Sequence, residues 1–268
     1  MTDIAARLLR LPADTLTALS FFSRLPVKTP AGPFDLRRSA AAWPLAGLVL
    51  AAGPALLFWL CGIGGIPTLL AALIALAALT ILTGGLHEDG LADVADGFGG
   101  GGAREKKLAI MRDSRIGTYG VLALLFAVAM KVTALAALGL RPGYGALALL
   151  CVAVLSRAMS LWHWNATMPA RSDGLAWAAG RPDWVALVIG AATGLVAAIV
   201  LVVMFGLSAL IGVLLALVAI SLFSPLCMRQ IGGHSGDTIG AAQQIAETLL
   251  LVGLAIGWDP VIWAPILA

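Results

Sequence analysis

The sequence predicts an all-α, polytopic membrane protein with about seven transmembrane helices and an N-terminal interfacial helix. Three observations carry that prediction. The 268-residue chain is 60% hydrophobic and only 12% charged, with a mean hydropathy of +0.98, whereas soluble domains carry about 25% charged residues. Apolar runs of about 20 residues recur, the length a helix needs to cross a bilayer. The runs are rich in Ala and Leu and lack the alternation of an outer-membrane barrel strand.

Taken in order, residues 4–25 place apolar side chains at helical spacing around Arg7, Arg10, Asp14 and Arg24. Such a segment suits a helix lying in the interface. Crossing segments are expected at 40–61, 66–83, 119–140, 144–164, 184–205, 207–227 and 245–266. The polar loops are then 84–118, 166–183 and 228–244, within a single domain covering 1–268. No apolar core ending in a cleavage site follows Arg7 and Arg10, so no removable signal peptide is expected.

Charge placement sets the orientation. With the N-terminus in the cytoplasm, the inside segments hold Arg7, Arg10, Arg24, Lys28, Arg37, Arg38, Arg104, Lys106, Lys107, Arg112, Arg115, Arg171, Arg181 and Arg229. The outside connections hold only Arg141. That asymmetry is the positive-inside signature. Trp43, Trp59, Trp162, Trp164, Trp184, Trp258 and Trp263 fall near segment ends, as an aromatic belt requires. All three polar loops therefore face the cytoplasm. The net charge of +3 is modest, and no nucleic-acid partner is expected. Cys61, Cys151 and Cys227 stand alone in apolar sequence and read as packing residues.

Chemistry concentrates in "GGLHEDGLADVADGFGGGG", residues 84–102. If 86–97 is helical, Asp89, Asp93 and Asp96 stand at i, i+4 and i+7 and cover an arc of about 60°. Gly85, Gly90 and Gly97 let a backbone or ligand approach closely. Carboxylate oxygens on one face are hard ligands suited to Mg²⁺ or Mn²⁺. A metal pair there could clamp a phosphoryl group. The plainer alternative is a solvated helix start, because acids suit helix N-termini.

Two further patches follow. "REKKLAIMRDSRIGTYG", residues 104–120, sets Arg104, Arg112 and Arg115 around Asp113. Its arginines could hold phosphate oxygens bidentately, while Lys106 and Lys107 read as topology signals. "GGHSGDTIGAAQQIAE", residues 232–247, surrounds Asp237 with Gly232, Gly233, Gly236 and Gly240. Backbone amides in such a turn can cradle an anion, or the stretch is a tight turn with an Asp cap. Glu247 could face the same cavity. Lys131, near mid-depth of its crossing, marks a site or a buried ion pair, with Glu247 or an acid of the first cluster as partner. Arg157, nearer the cytoplasmic end, could snorkel. His87 and His234 are candidates for proton transfer on their near-neutral pKa alone.

Together "GGLHEDGLADVADG", "IMRDSRIGTYG", Ser156–Arg157, "GGHSGDTIGA", "FFSRLPV" and Lys131 resemble, in order, the cobalamin synthases. The resemblance runs over about residues 15–250. It implies an inner-membrane enzyme that joins adenosylcobinamide-GDP to α-ribazole, or its 5′-phosphate, releases GMP and uses Mg²⁺. It implies catalytic roles for Asp89, Asp93, Asp96, Asp113 and Asp237, with Asp89, Asp93 and Asp96 as metal ligands. It implies substrate binding by Arg104, Arg112, Arg115, Lys131, Arg157, Gly236 and Glu247. The expected chemistry has the ribazole 5′-oxygen attack the cobinamide-side phosphorus, with Asp89, Asp96 or His87 accepting the proton. Glu88 departs from the family's H-L-D-G form, and His234 is a departure too. The partners implied are the two substrates and the lipid bilayer, and a homo-oligomer is compatible with the sequence.

Two other classes compete. D-x-x-D-G at Asp93–Gly97 echoes the CDP-alcohol phosphotransferases, but Ala103-Arg104 comes too late for their pattern. An ion-coupled transporter would place its charges near mid-membrane, often between inverted repeats; here most charges gather at one interface.

Overall fold

A computed structural model of the chain describes residues 2–29 and 35–257, the side chains of Thr2 and Asp3 excepted. Trp258, Trp263 and the end of the 245–266 segment lie outside the described residues. Helix α1 (Thr2–Phe22) buries Ala18, Leu19 and Phe22 near its end and leaves Leu9 85% exposed. Helix α2 (Leu36–Ser39) starts at Asp35, whose side chain accepts from the Arg38 amide at 2.9 Å. A 3₁₀ turn at 40–42 carries it into α3 (Trp43–Ile63), so that Leu36–Ile63 reads as one crossing.

The return helix α4 (Thr68–Thr83) ends at Gly84 and Gly85, with φ of +66° and +70°. Only glycine adopts two such left-handed residues cheaply. The turn bends the chain by 88° into α5 (Leu86–Gly99), the helix that carries the acids. A short α6 (Arg104–Ile110) follows. Then come α7 (Thr118–Leu138), α8 (Pro142–Ala166), a short α9 (Leu175–Ala179), α10 (Trp184–Phe205), α11 (Leu207–Ile231) and α12 (Gly236–Ala255). Among the described residues, six helices are long and apolar enough to cross a membrane, or seven if the bent pair α4–α5 counts as one crossing. The chain is a multi-pass membrane protein. No strand occurs among the described residues; one isolated bridge joins Pro169 to His234.

The last crossing corrects the sequence-based expectation. It begins at Gly236 rather than 245, and the 228–244 loop shrinks to the turn between Ile231 and Gly236. The stretch "GDTIGAAQQIAE" is too polar for lipid, but it does not face lipid. Gln243, Gln244, Glu247 and Thr248 are all buried against protein. Likewise 84–118 is mostly α5 and α6 rather than open loop. Helices α8 and α12 form the centre, each 72% buried over its apolar window, whereas α10 is 28% buried and faces outward. Cys61, Cys151 and Cys227 are free and buried, as packing residues should be.

Candidate active site

The first turns of α3, α7, α10 and α12 share one end of the bundle, because successive crossings alternate in direction. Helix α5 lies across that end against α12. A Cβ on Gly90 would stand 2.7 Å from the carbonyl oxygen of Asp237. Glycine there lets the two backbones touch, and the contact sets the acids of α5 beside Asp237. Gly90→Ala is expected to pry α5 from α12 and lower stability by about 1–3 kcal/mol, with turnover falling as well. Thermal midpoints and initial rates on the same preparation check this.

A groove of about 900 Å³ opens beside α5. Asp89 and Asp93 line it from α5, Arg24 from the segment after α1, and Arg112, Asp113 and Arg115 from the segment before α7. Asp89 is exposed and Asp93 half-buried. Partial burial and the neighbouring charges of Asp89, Asp237 and Asp96 all disfavour an ionised Asp93; Arg171 favours it. Four carboxylates thus crowd one small region, a charge distribution that calls for cations.

Asp96, expected beside Asp89 and Asp93 as a metal ligand, is placed differently. It is 8% exposed and does not line the groove. Its Oδ2 accepts from the Gly117 amide at 2.6 Å and its Oδ1 from the Gly120 amide at 2.9 Å. The carboxylate caps the first turn of α7 and ties α5 to it. The i, i+4, i+7 stripe is real, but α5 runs beneath α7, so its third acid is covered.

The arginines divide in the same way. Arg115 binds Asp113 through Nη2 at 2.6 Å and holds that carboxyl down at about 2. Arg112 reaches both oxygens of Asp173 at 2.6 Å. Arg104 turns away from the groove: its Nε donates to the Ile231 carbonyl at 2.7 Å, and its Nη2 donates to the Ala170 carbonyl. It fastens the loop before α9 to the end of α11. Gly236 opens α12, exposed, next to Asp237, whose Oδ2 accepts from the Ser235 hydroxyl at 3.1 Å. Ser235 and Thr238 complete a capping box there, so Asp237 is not itself the cap.

Lys131, Arg157 and Glu247, expected at the substrate, lie beneath the groove at 3%, 1% and 4% exposure. Lys131 Nζ reaches Glu247 Oε1 at 3.1 Å, Gln244 Oε1 at 2.7 Å and Glu88 Oε1 at 3.7 Å. Gln243 bonds the other Glu247 oxygen at 2.5 Å and Ser156 at 3.1 Å. Arg157 donates to the Ala153 carbonyl at 3.1 Å and stands 6.0 Å from the Phe22 ring. This buried lattice joins α5, α7, α8 and α12. Of the alternatives open for Lys131, the structure realises the ion pair, and with both named partners: Glu247 and, through Glu88, the first acid cluster. Glu88, the residue that departs from the family form, is thereby tied to the lattice.

His87 is buried, its ring stacked on Phe22 at 5.4 Å. His234 is buried in the bridge to Pro169, with Nδ1 3.0 Å from the Thr167 hydroxyl. Burial pushes its pKa down to about 4, so it is neutral near pH 7. Neither histidine lines the groove. Arg171, like Arg24 of the groove, was given no site role by the sequence reading. Its Nη2 donates to the Leu108 carbonyl at 3.1 Å, its Nε is buried without a partner, and it acts on Asp93 and Asp237. Burial and Arg112 lower its pKa, and Asp237, Asp173 and Asp93 oppose them. No local pattern marks it, because its position depends on the bridge that folds its loop back.

The donor set fits a hard divalent ion in chemistry: Asp89, Asp93 and Asp237 are crowded oxygen ligands short of positive charge. Among the described residues no three His, Cys, Asp or Glu side chains are close enough to share one ion.

Comparison with known proteins decides the family. The cobalamin-5-phosphate synthase family model matches residues 14–255. The chain belongs to that family. A cobalamin-5-phosphate synthase relative from Rhizobium johnstonii, named adenosylcobinamide-GDP ribazoletransferase, is 46% identical over 252 residues, covering 90% of this chain and 96% of its own. Relatives of the same name from Sinorhizobium medicae and Azorhizobium caulinodans are 44% and 45% identical, covering 91% and 92% of this chain and 96% and 97% of theirs. No solved structure matches. The family assignment sets aside the CDP-alcohol phosphotransferase and transporter readings.

Proposed function

We propose that this cobalamin-5-phosphate synthase family member is an adenosylcobinamide-GDP ribazoletransferase working at the groove beside α5. One observation carries the placement: Asp89, Asp93 and Asp237 converge, through the Gly90 contact, next to a groove rimmed by Arg24, Arg112 and Arg115. An acidic floor with a basic rim suits a diphosphate. Phosphoryl transfer needs positioning and charge neutralisation more than covalent chemistry from the protein.

A hydroxyl oxygen of the ribazole ribose forms a bond to the cobinamide-side phosphorus, and the bond from that phosphorus to the bridging oxygen breaks. GMP leaves with the bridging oxygen. The expectation that the 5′-oxygen attacks needs correction. The family's description names a 5-phosphate product; an acceptor phosphorylated at that position has no free 5′-hydroxyl, so a secondary ribose hydroxyl is the nucleophile. Asp89, exposed at the groove wall, accepts its proton; His87 is buried away from the groove. Arginines of the rim hold the non-bridging oxygens. Asp93 and Asp237 would hold Mg²⁺, leaving Asp89 as the proton acceptor, and the ion would supply charge neutralisation for the diphosphate. The groove faces the cytoplasm of a bacterial inner membrane, a placement supported by the positive-inside distribution.

Purified protein in lipid nanodiscs, given adenosylcobinamide-GDP and α-ribazole, is expected to release GMP. Release should stop with chelator and return with Mg²⁺. GMP release that needs no ribazole, or that a chelator leaves unchanged, overturns the respective half of the reading.

A further inference from the structure

Beside the groove lies a second, enclosed pocket of about 140 Å³. Asp89, Leu86 and Phe21 line both spaces, so the pocket opens from the acid cluster. Its walls are mostly aromatic and apolar, with Asp89, Asp237, His87 and Ser160 as the polar members: Phe22 and Trp43 meet edge to face at 5.0 Å, and Trp43 stacks on Trp164 at 4.9 Å. Leu175 and Ala176 of α9 close it from the loop side. An apolar cavity of about 150 Å³ takes a benzene-sized ring, so this volume suits a small flat ring system.

One polar group there is unexplained. The Trp43 side chain is 1% exposed, and its indole Nε1–H is buried without a partner. A buried donor left unpaired costs about 1–3 kcal/mol. The neighbouring Trp164 satisfies its own Nε1–H on the Gly180 carbonyl at 2.9 Å, and the Ser160 hydroxyl is donated to the Arg157 carbonyl at 2.9 Å. Trp43 is the exception, and it stands in the pocket wall.

We infer that this pocket holds the base of the acceptor nucleoside, and that Trp43 Nε1–H donates to the base's unsubstituted ring nitrogen. A benzimidazole-type base fits: it is flat and apolar, with one acceptor nitrogen left once the other carries the ribose. The assignment rests on the transferase reading above. With the base seated here, the ribose emerges at Asp89, between pocket and groove.

The test is Trp43→Phe, which keeps a ring and removes the donor. With α-ribazole, KM should rise about two- to tenfold, the range of one hydrogen bond. KM for adenosylcobinamide-GDP should not move. With a ribazole analogue whose acceptor nitrogen is replaced by C–H, wild type and variant should have equal KM. An unchanged ribazole KM, or a shift confined to adenosylcobinamide-GDP, overturns the inference while the transferase reading stands. Absence of GMP release from wild type defeats that reading instead. Should Trp43→Phe misfold, Ala176→Phe fills the pocket from the half-buried loop side. It should raise the ribazole KM alone; an unchanged value there likewise overturns the inference.

Discussion

Asp93→Asn is expected to lower turnover by roughly 10²–10³-fold, the scale of losing one preorganised electrostatic group in an active site, while the protein stays folded. Asp93 lines the groove, half-buried, with Asp89, Asp237 and Asp96 as charged neighbours. Neutralising it relieves repulsion, so the thermal midpoint should hold or rise. Asp96→Asn should behave in the opposite way. It places an amide where two oxygens accept from the Gly117 and Gly120 amides. Weakened charge-assisted bonds to α7 should cost about 1.5–3 kcal/mol. Rates and thermal midpoints of both variants, measured together, separate the two roles. An Asp93→Asn enzyme within a few-fold of wild-type turnover would remove Asp93 from the reaction.

The second large effect is on stability. Lys131→Met should lower stability by about 3–5 kcal/mol, because it strips the paired cation from a buried cluster and leaves Glu247 and Glu88 with Arg157 alone to offset them. Glu247→Gln should also destabilise, by leaving Lys131 with Glu88 alone. The double variant Lys131→Met/Glu247→Gln should recover part of the loss, since fewer unpaired charges remain and Arg157 can serve Glu88. Were Lys131 a substrate contact instead, its removal would raise KM and leave the thermal midpoint unchanged. A cycle of the four proteins in detergent, scored by thermal midpoint and KM, decides between these.

Much of this was legible along the chain. Hydropathy located the crossings because lipid imposes a local requirement: each helix must satisfy its own backbone and present apolar side chains. The α10–α11 break at Gly206 falls where the sequence placed it. Hydropathy failed at α12, where Gln243 and Gln244 read as a loop. Their polarity is matched by Ser156, Lys131 and Glu88 on three other helices, and no window on one segment registers a partner on another.

The candidate site divides along the same line. Helical spacing alone was enough to place Asp89, Asp93 and Asp96 on one stripe, because an α-helix has one period. Whether each acid then meets solvent, a ligand or a neighbouring helix depends on what packs over it. Asp96 became a cap because α7 begins above it, and Arg171 joined the acids because a bridge to His234 folds its loop inward. Helix type, membrane class and the family motif are properties of residues near in sequence, so the sequence by itself determined them. The meeting of α5 with α12 at Gly90, the buried Lys131 lattice and the pocket under Trp43 join residues far apart in the chain. Only the tertiary structure decided them, because contact energies act through space.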